Sequence, residues 1–163
     1  NGVQLKRVLR EEKLKLHDLM LANERAVTGK SSEEIFAELD RLLKVMDDCV
    51  KRGLKTEGLL PGKLRLHRKA KALYERARKM DHPAGQFTTS LCAYAFAASE
   101  ENAAGQPIVT APTCGAAGVV PAIYQAMKHH LGFEYESIRM GFLAAAAIGL
   151  IVKHNASIAG ADV

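Results

Sequence analysis

The chain has 163 residues, of which 48% are apolar and 25% charged, with a formal net charge of +5. That is enough chain for one domain with a real core, and the composition is that of a soluble globular protein rather than a collagen-like, low-complexity or disulfide-stapled one. The longest uninterrupted apolar run, 141–152, is shorter than the roughly 20 residues that a bilayer span needs, and no secretory leader pattern is visible, so no membrane is expected.

The first residue is Asn1 and the last stretch is "IAGADV", which carries no charged last turn and no stop signal. Both ends read as cut, and the natural polypeptide is expected to be longer. Cys49, Cys92 and Cys114 are an odd number at wide spacing, which suits a reducing, cytoplasmic setting better than a disulfide framework. Residues 1–85 carry a net +7 and residues 86–163 a net −2. A basic half raises the possibility of nucleic-acid binding. Its basic residues alternate with acids and leucines, as in "LKRVLREEKLKL", which is the pattern of a solvated amphipathic face, so no nucleic acid is expected.

In chain order, residues 4–27 read as one amphipathic helix with Leu5, Val8, Leu9, Leu16, Leu19 and Met20 on its stripe. Thr28-Gly29 breaks it, and Ser31 with Glu34 has the spacing of a capping box. The next stripe runs from Ile35 to Val50 and includes Cys49 as a core residue, with Gly53 as the stop. "LLPGK" at 59–63 is a turn, and helix is expected again over 64–80. "DHPAG" at 81–85 marks the passage from basic peripheral helices (1–85) to buried apolar helices and pocket loops (86–163). The alanine-rich run 86–104 is a close-packing helix with Cys92 packed inside it. "PIVTAP" is a short extended segment at 107–112, followed by helices over 118–131 and 137–153. The second of these holds "FLAAAAIGLIV", apolar on every side, and is expected to be a central helix. The fold class is mostly α, an alanine-rich multi-helix bundle.

Two stretches mix small and polar residues inside apolar surroundings: "EENAAGQPIVTAPTCGAAG" (100–118) and "KHNASIAGAD" (153–162). Glycines permit close backbone approach, and Thr113, Cys114 and Gly115 precede a helix whose free N–H groups could hold a carboxylate. Lys153, Asn155 and Ser157 could add a charge and two hydrogen-bonding groups. Helix caps and turns would use the same residue types, so the pattern alone leaves both readings open. His129 and His130 are adjacent and, on a helix, point about 100° apart, which makes a shared metal awkward. No glycine-rich nucleotide loop, zinc-protease motif or serine-hydrolase elbow is present.

The stretches "EENAAGQPIVTAPTCGAAGVVPA" and "IVKHNASIAGADV", with "RGLKTEGLLPGKLRLHRKA" in support, closely resemble the α domain of bacterial iron–sulfur-dependent L-serine dehydratases, also called L-serine deaminases or ammonia-lyases. The resemblance covers most of the chain from about residue 20. It implies conversion of L-serine to pyruvate and ammonium without pyridoxal phosphate, at a [4Fe–4S] cluster held by three cysteines. The first of these is expected just after the "NASIAGADV" run, so none of Cys49, Cys92 and Cys114 matches a cluster ligand and no metal is expected within this chain. By the resemblance, Thr110, Thr113, Cys114 and Gly115 face the substrate, while Lys153, Asn155 and Ser157 line the cluster side.

The sequence departs from the family where Ala159 replaces a frequent serine and Asp162 a glutamate. The regulatory β domain or β subunit is absent, so this chain alone is expected to be inactive and to act with that partner, in a homo-oligomer. The rival readings are a cysteine desulfidase-like lyase and a non-catalytic helical binding module.

Overall fold

The computed structural model describes residues 2–110, 114–115 and 117–155. Among them there are seven helices and no strand: α1 Gly2–Glu11, α2 Leu16–Thr28, α3 Ser32–Gly53, α4 Ala70–Ala77, α5 Pro83–Ala103, α6 Val119–His129 and α7 Tyr135–Asn155. The expected multi-helix, mostly α fold is therefore the observed one. The chain divides into two compact units, 1–41 with 134–163, and 42–133. The change of composition at 81–85 falls inside the second unit, at the start of α5.

In the first unit the expected single helix over 4–27 is two helices. The chain breaks at 12–15, where Lys13 takes a left-handed φ of 52°. Asp18 offers its carboxylate to the Lys15 N–H at 3.2 Å and so caps a fresh N-terminus. This local alternative does not show in the apolar periodicity. Gly29 closes α2 with φ 71°, its N–H donating to Arg25 O. The capping box at the start of α3 forms as read, with Ser31 N–H on Glu34 Oε2 at 2.8 Å and Glu34 N–H on Ser31 Oγ at 3.2 Å. Asp40 accepts from Tyr135 Oη at 2.7 Å and from Arg139 Nε at 2.8 Å, which ties the first turns of α7 to α3.

α2 packs along α7. The expectation of a central helix is not met: α7 buries only Ile138 and Leu143, and Ile148 and Leu150 are each 50% exposed. An all-round apolar surface announces partners on every side, and the described residues cover only part of it. By length and composition alone this 21-residue helix could cross a bilayer, which the shorter apolar run within it could not.

The second unit is built around Cys49, Val50, Ala70, Tyr94, Ala97, Ala98 and Ala122. Small side chains bring the helices close. A Cβ on Gly53 would sit 2.4 Å from the carbonyl oxygen of Ala97, so α3 and α5 touch backbone to backbone there. Cys49 is buried as expected, but Cys92 faces solvent on α5. The alanine-rich helix is apolar enough to place a cysteine on any face, so burial could not be read from its neighbours.

The helix expected over 64–80 is shorter, because residues 58–68 fold back as a hairpin-like excursion. Leu60 N–H donates to Leu66 O at 2.8 Å and Arg68 N–H to Gly58 O at 2.9 Å. Pro61-Gly62 turns the chain, with Gly62 at φ 111°. α4 then starts only at Ala70, where the buried carboxylate of Glu100 accepts the N–H of Lys69 at 2.5 Å and of Ala70 at 3.3 Å. His82 caps α5 through Nδ1, and Pro83 takes the first helical position, where its missing N–H costs nothing.

Asp47 joins α3 to α6. Its Oδ1 accepts from Gln125 Nε2 at 2.8 Å and lies 3.3 Å from Lys128 Nζ, while Oδ2 takes Lys51 Nζ at 2.6 Å. Burial pushes this carboxyl up, but the bonds from Gln125 and the two lysines outweigh it and hold it at about 2. A carboxyl depressed in the folded state contributes stability above its unfolded pKa of about 4, and that contribution disappears as pH falls through about 2. The difference is on the order of 2 kcal/mol. The urea midpoint of the native protein is expected to fall between about pH 4 and pH 2 more steeply than that of Asp47→Asn. Identical slopes for the two proteins would remove Asp47 from the acid transition.

Candidate functional site

The polar stretch 100–118 starts inside α5, runs out through Gly105 and Pro107, and re-enters helix at Val119. Its described residues are held at four places. Arg52 Nη2 donates to Pro107 O at 2.9 Å, and Ile108 packs against the apolar core. Asn102 Nδ2 reaches Cys114 O at 3.5 Å. Gly118 lies so close to α5 that a Cβ there would meet Ser99 Oγ at 2.3 Å and Ala95 O at 3.0 Å.

Behind these anchors is a buried ionic triad. Glu101, at the end of α5, is 2% exposed, and its two carboxylate oxygens take Arg52 Nε and Arg68 Nη1, each at 2.9 Å. Arg68 is itself buried, while Arg52 reaches solvent. Each carboxylate oxygen is matched to one guanidinium, the kind of pairing under which a buried charge is tolerated. Arg52 thus does two jobs, neutralising Glu101 and holding the start of the loop.

Of the residues read as substrate-facing, Thr110, Cys114 and Gly115 are exposed on this loop, and Thr113 lies outside the described residues. α6 follows immediately. Its N-terminus has Gly118 at the cap position and no side-chain cap among the described residues. Uncapped N–H groups at a helix N-terminus favour an anion. Of the residues read as lining the other side, Lys153 and Asn155 are exposed in the last turn of α7, and Ser157 lies outside the described residues. Asn155 Nδ2 donates to Ile151 O of its own helix at 2.7 Å. The two groups of residues belong to different compact units.

No cluster of three or more His, Cys, Asp or Glu able to hold a metal exists among the described residues. Cys49 is sealed in the core, where burial pushes its thiol up to about 11, and Cys92 and Cys114 are solitary and exposed. The donor set of this chain does not fit a [4Fe–4S] cluster.

The family model for the serine dehydratase alpha chain matches residues 11–163. The chain belongs to the serine dehydratase alpha chain family. It is 42% identical over 163 residues to the L-serine dehydratase of Streptomyces coelicolor, covering 99% of this chain and 35% of that protein. It is 43% identical over 154 residues to L-serine dehydratase TdcG of Escherichia coli, covering 92% of this chain and 34% of the relative. An L-serine dehydratase alpha chain from Peptoniphilus asaccharolyticus is 33% identical over 155 residues, with 95% and 53% of the two chains covered. The chain thus spans about a third of the length of the longer relatives and about half of the separate alpha chain.

Sequence reasoning missed three residues of this serine dehydratase segment: Arg52, Arg68 and Glu101. The signal was available. Both arginines lie in "RGLKTEGLLPGKLRLHR", and the Glu-Glu pair carries the only charges of an alanine-rich helix, where a buried charge must have a partner.

Proposed function

We propose that this chain is the part of an L-serine ammonia-lyase that receives the substrate's carboxylate. The observation that carries the reading is that the described residues of the 107–118 stretch are held by Arg52 at Pro107, by Asn102 at Cys114 and by the close approach at Gly118, where α6 begins with no side-chain cap among the described residues. In this reading the N–H groups of Val119 and Val120 hold the carboxylate, and Thr110 and Thr113 supply hydroxyls to the amino acid. L-serine loses its α proton and its hydroxyl as water. The aminoacrylate so formed tautomerises to the imine, and hydrolysis gives pyruvate and ammonium.

Lys153, Asn155 and Ser157 are the polar groups offered from the end of α7. The resemblance implies a [4Fe–4S] cluster as the Lewis acid for the hydroxyl. Cys49, Cys92 and Cys114 do not make a site for it, so this chain is assigned the substrate side of the reaction. The name "alpha chain" of the Peptoniphilus asaccharolyticus relative supports a β partner, as domain or subunit. A cytoplasmic setting and a homo-oligomer complete the proposal.

The full-length protein is expected to form pyruvate from L-serine with a kcat/KM at least about tenfold above that for L-cysteine, measured as initial rates under anaerobic conditions. Faster sulfide release from L-cysteine would make the protein a desulfidase instead.

A further inference from the structure

A hollow of about 380 Å³ lies in the second unit, between the end of α4, the first half of α5 and the end of α6, and none of the loop residues discussed above lines it. Its size is within the range of small-molecule sites. The floor is polar and buried: Ser90 is 3% exposed and Tyr94 4%. Gln86 and Arg78 stand at the sides. A cation near the end of a helix is ordinary by itself, since it complements the helix dipole. Here the guanidinium makes no ion pair among the described residues, and the Gln86 amide and the Ser90 hydroxyl make no side-chain hydrogen bond there either. Three donors therefore converge on one space that no carboxylate lines.

The remaining wall is rigid. α6 ends at His129, and His130 leaves the helix with φ −120° and ψ −30°. Both adjacent histidines consequently line the hollow, although on a continued helix they would point about 100° apart. The His130 ring is held by the edge of Phe87 at 5.7 Å and by Tyr94, whose Oη lies 3.1 Å from His130 Nε2. Burial, then Tyr74, pushes the Tyr94 hydroxyl up to about 12, so the phenol stays neutral.

No aspartate or glutamate lines the hollow. A donor-rich space with one permanent cation and no acid selects an anion. Burial, then Lys128, lowers the pKa of His129, which near neutral pH presents the ring as a hydrogen-bonding group more than as a second charge. One positive charge in a planar fork matches a planar monoanion better than a dianion.

We propose that this hollow binds a small monocarboxylate, with its carboxylate on Arg78 and its polar body on Gln86, Ser90 and the Tyr94–His130 wall. The proposal rests on the cavity and is independent of the lyase reading.

Isothermal titration calorimetry of the full-length protein with L-lactate, and with inorganic phosphate as the comparison, tests it. L-lactate is expected to bind saturably and more tightly than phosphate. Arg78→Gln is expected to weaken lactate by about tenfold or more, as loss of a charge-assisted bond does. Ser90→Ala, which leaves the charge unchanged, is expected to weaken it by a smaller factor. Absence of lactate binding, tighter binding of phosphate, or an affinity unchanged in both variants would overturn the proposal.

Discussion

Replacing Glu101 by alanine is expected to destabilise the protein by about 3–5 kcal/mol, the largest effect of any single polar substitution in this chain. The reason is what remains behind. Arg68 is buried, and its Nη1 donates to Glu101 Oε1 at 2.9 Å. Without that carboxylate a guanidinium is left desolvated with no counter-charge, and the cost is that of the orphan and not of the bond alone. Arg52 is more exposed and can turn to water, but it would then release Pro107 O. Glu101→Gln keeps an acceptor oxygen and the side-chain volume, so it should cost less than alanine and more than nothing. Urea unfolding followed by far-ultraviolet circular dichroism measures both. A midpoint for Glu101→Ala equal to that of the native protein would show that the triad is solvated in solution.

The helices were largely legible because most of them obey short-range rules. The capping box at Ser31 and Glu34 and the stop at Gly53 each need only a few neighbouring residues, and each forms. Two features failed for a common reason. The break at Lys13 and the delayed start of α4 at Ala70 are both decided by a competing polar group, Asp18 in the first case and Glu100 in the second. Glu100 is 31 residues from the N–H that it accepts, and no window of apolar periodicity can contain it. The burial of α7 failed differently. Its sequence states that its surface wants covering, and among the described residues α2 packs along it and α3 meets its first turns, which leaves Ile148 and Leu150 half exposed.

The candidate site was legible as a composition and not as a mechanism of positioning. Small and polar residues in 100–118 marked the loop. That Arg52 would hold Pro107, or that Gly118 would press on Ser99, depends on α3 and α5 crossing near Gly53 and Ala97, a tertiary fact. The histidine pair shows the opposite error. Reading His129 and His130 as one continuous helix separated them, whereas the helix ends between them and they share a wall.

The second large effect concerns that Gly118 contact. Alanine at 118 would bring a Cβ within 2.3 Å of Ser99 Oγ and 3.0 Å of Ala95 O. The Ser99 hydroxyl is the closer obstacle, and the carbonyl of Ala95 belongs to a helix and cannot turn aside. The loop must therefore move outward, taking the α6 N-terminus with it. A misplacement on the order of 1 Å between substrate and the groups that hold it costs up to about 100-fold in rate. The helices themselves lose little, since Gly118 stands at the edge of α6 and not inside it. Removing Ser99 Oγ in the Ser99→Ala/Gly118→Ala double variant relieves the closest of the contacts and should recover part of the loss.

The most direct measurement is therefore kcat/KM for pyruvate formation from L-serine by full-length Gly118→Ala, alongside the Ser99→Ala/Gly118→Ala double variant and a thermal unfolding curve for each. A loss of about 10- to 100-fold with a near-native Tm, partly restored in the double variant, is the predicted result. A Gly118→Ala enzyme with native kcat/KM would contradict the assignment of this loop and the α6 N-terminus to the substrate.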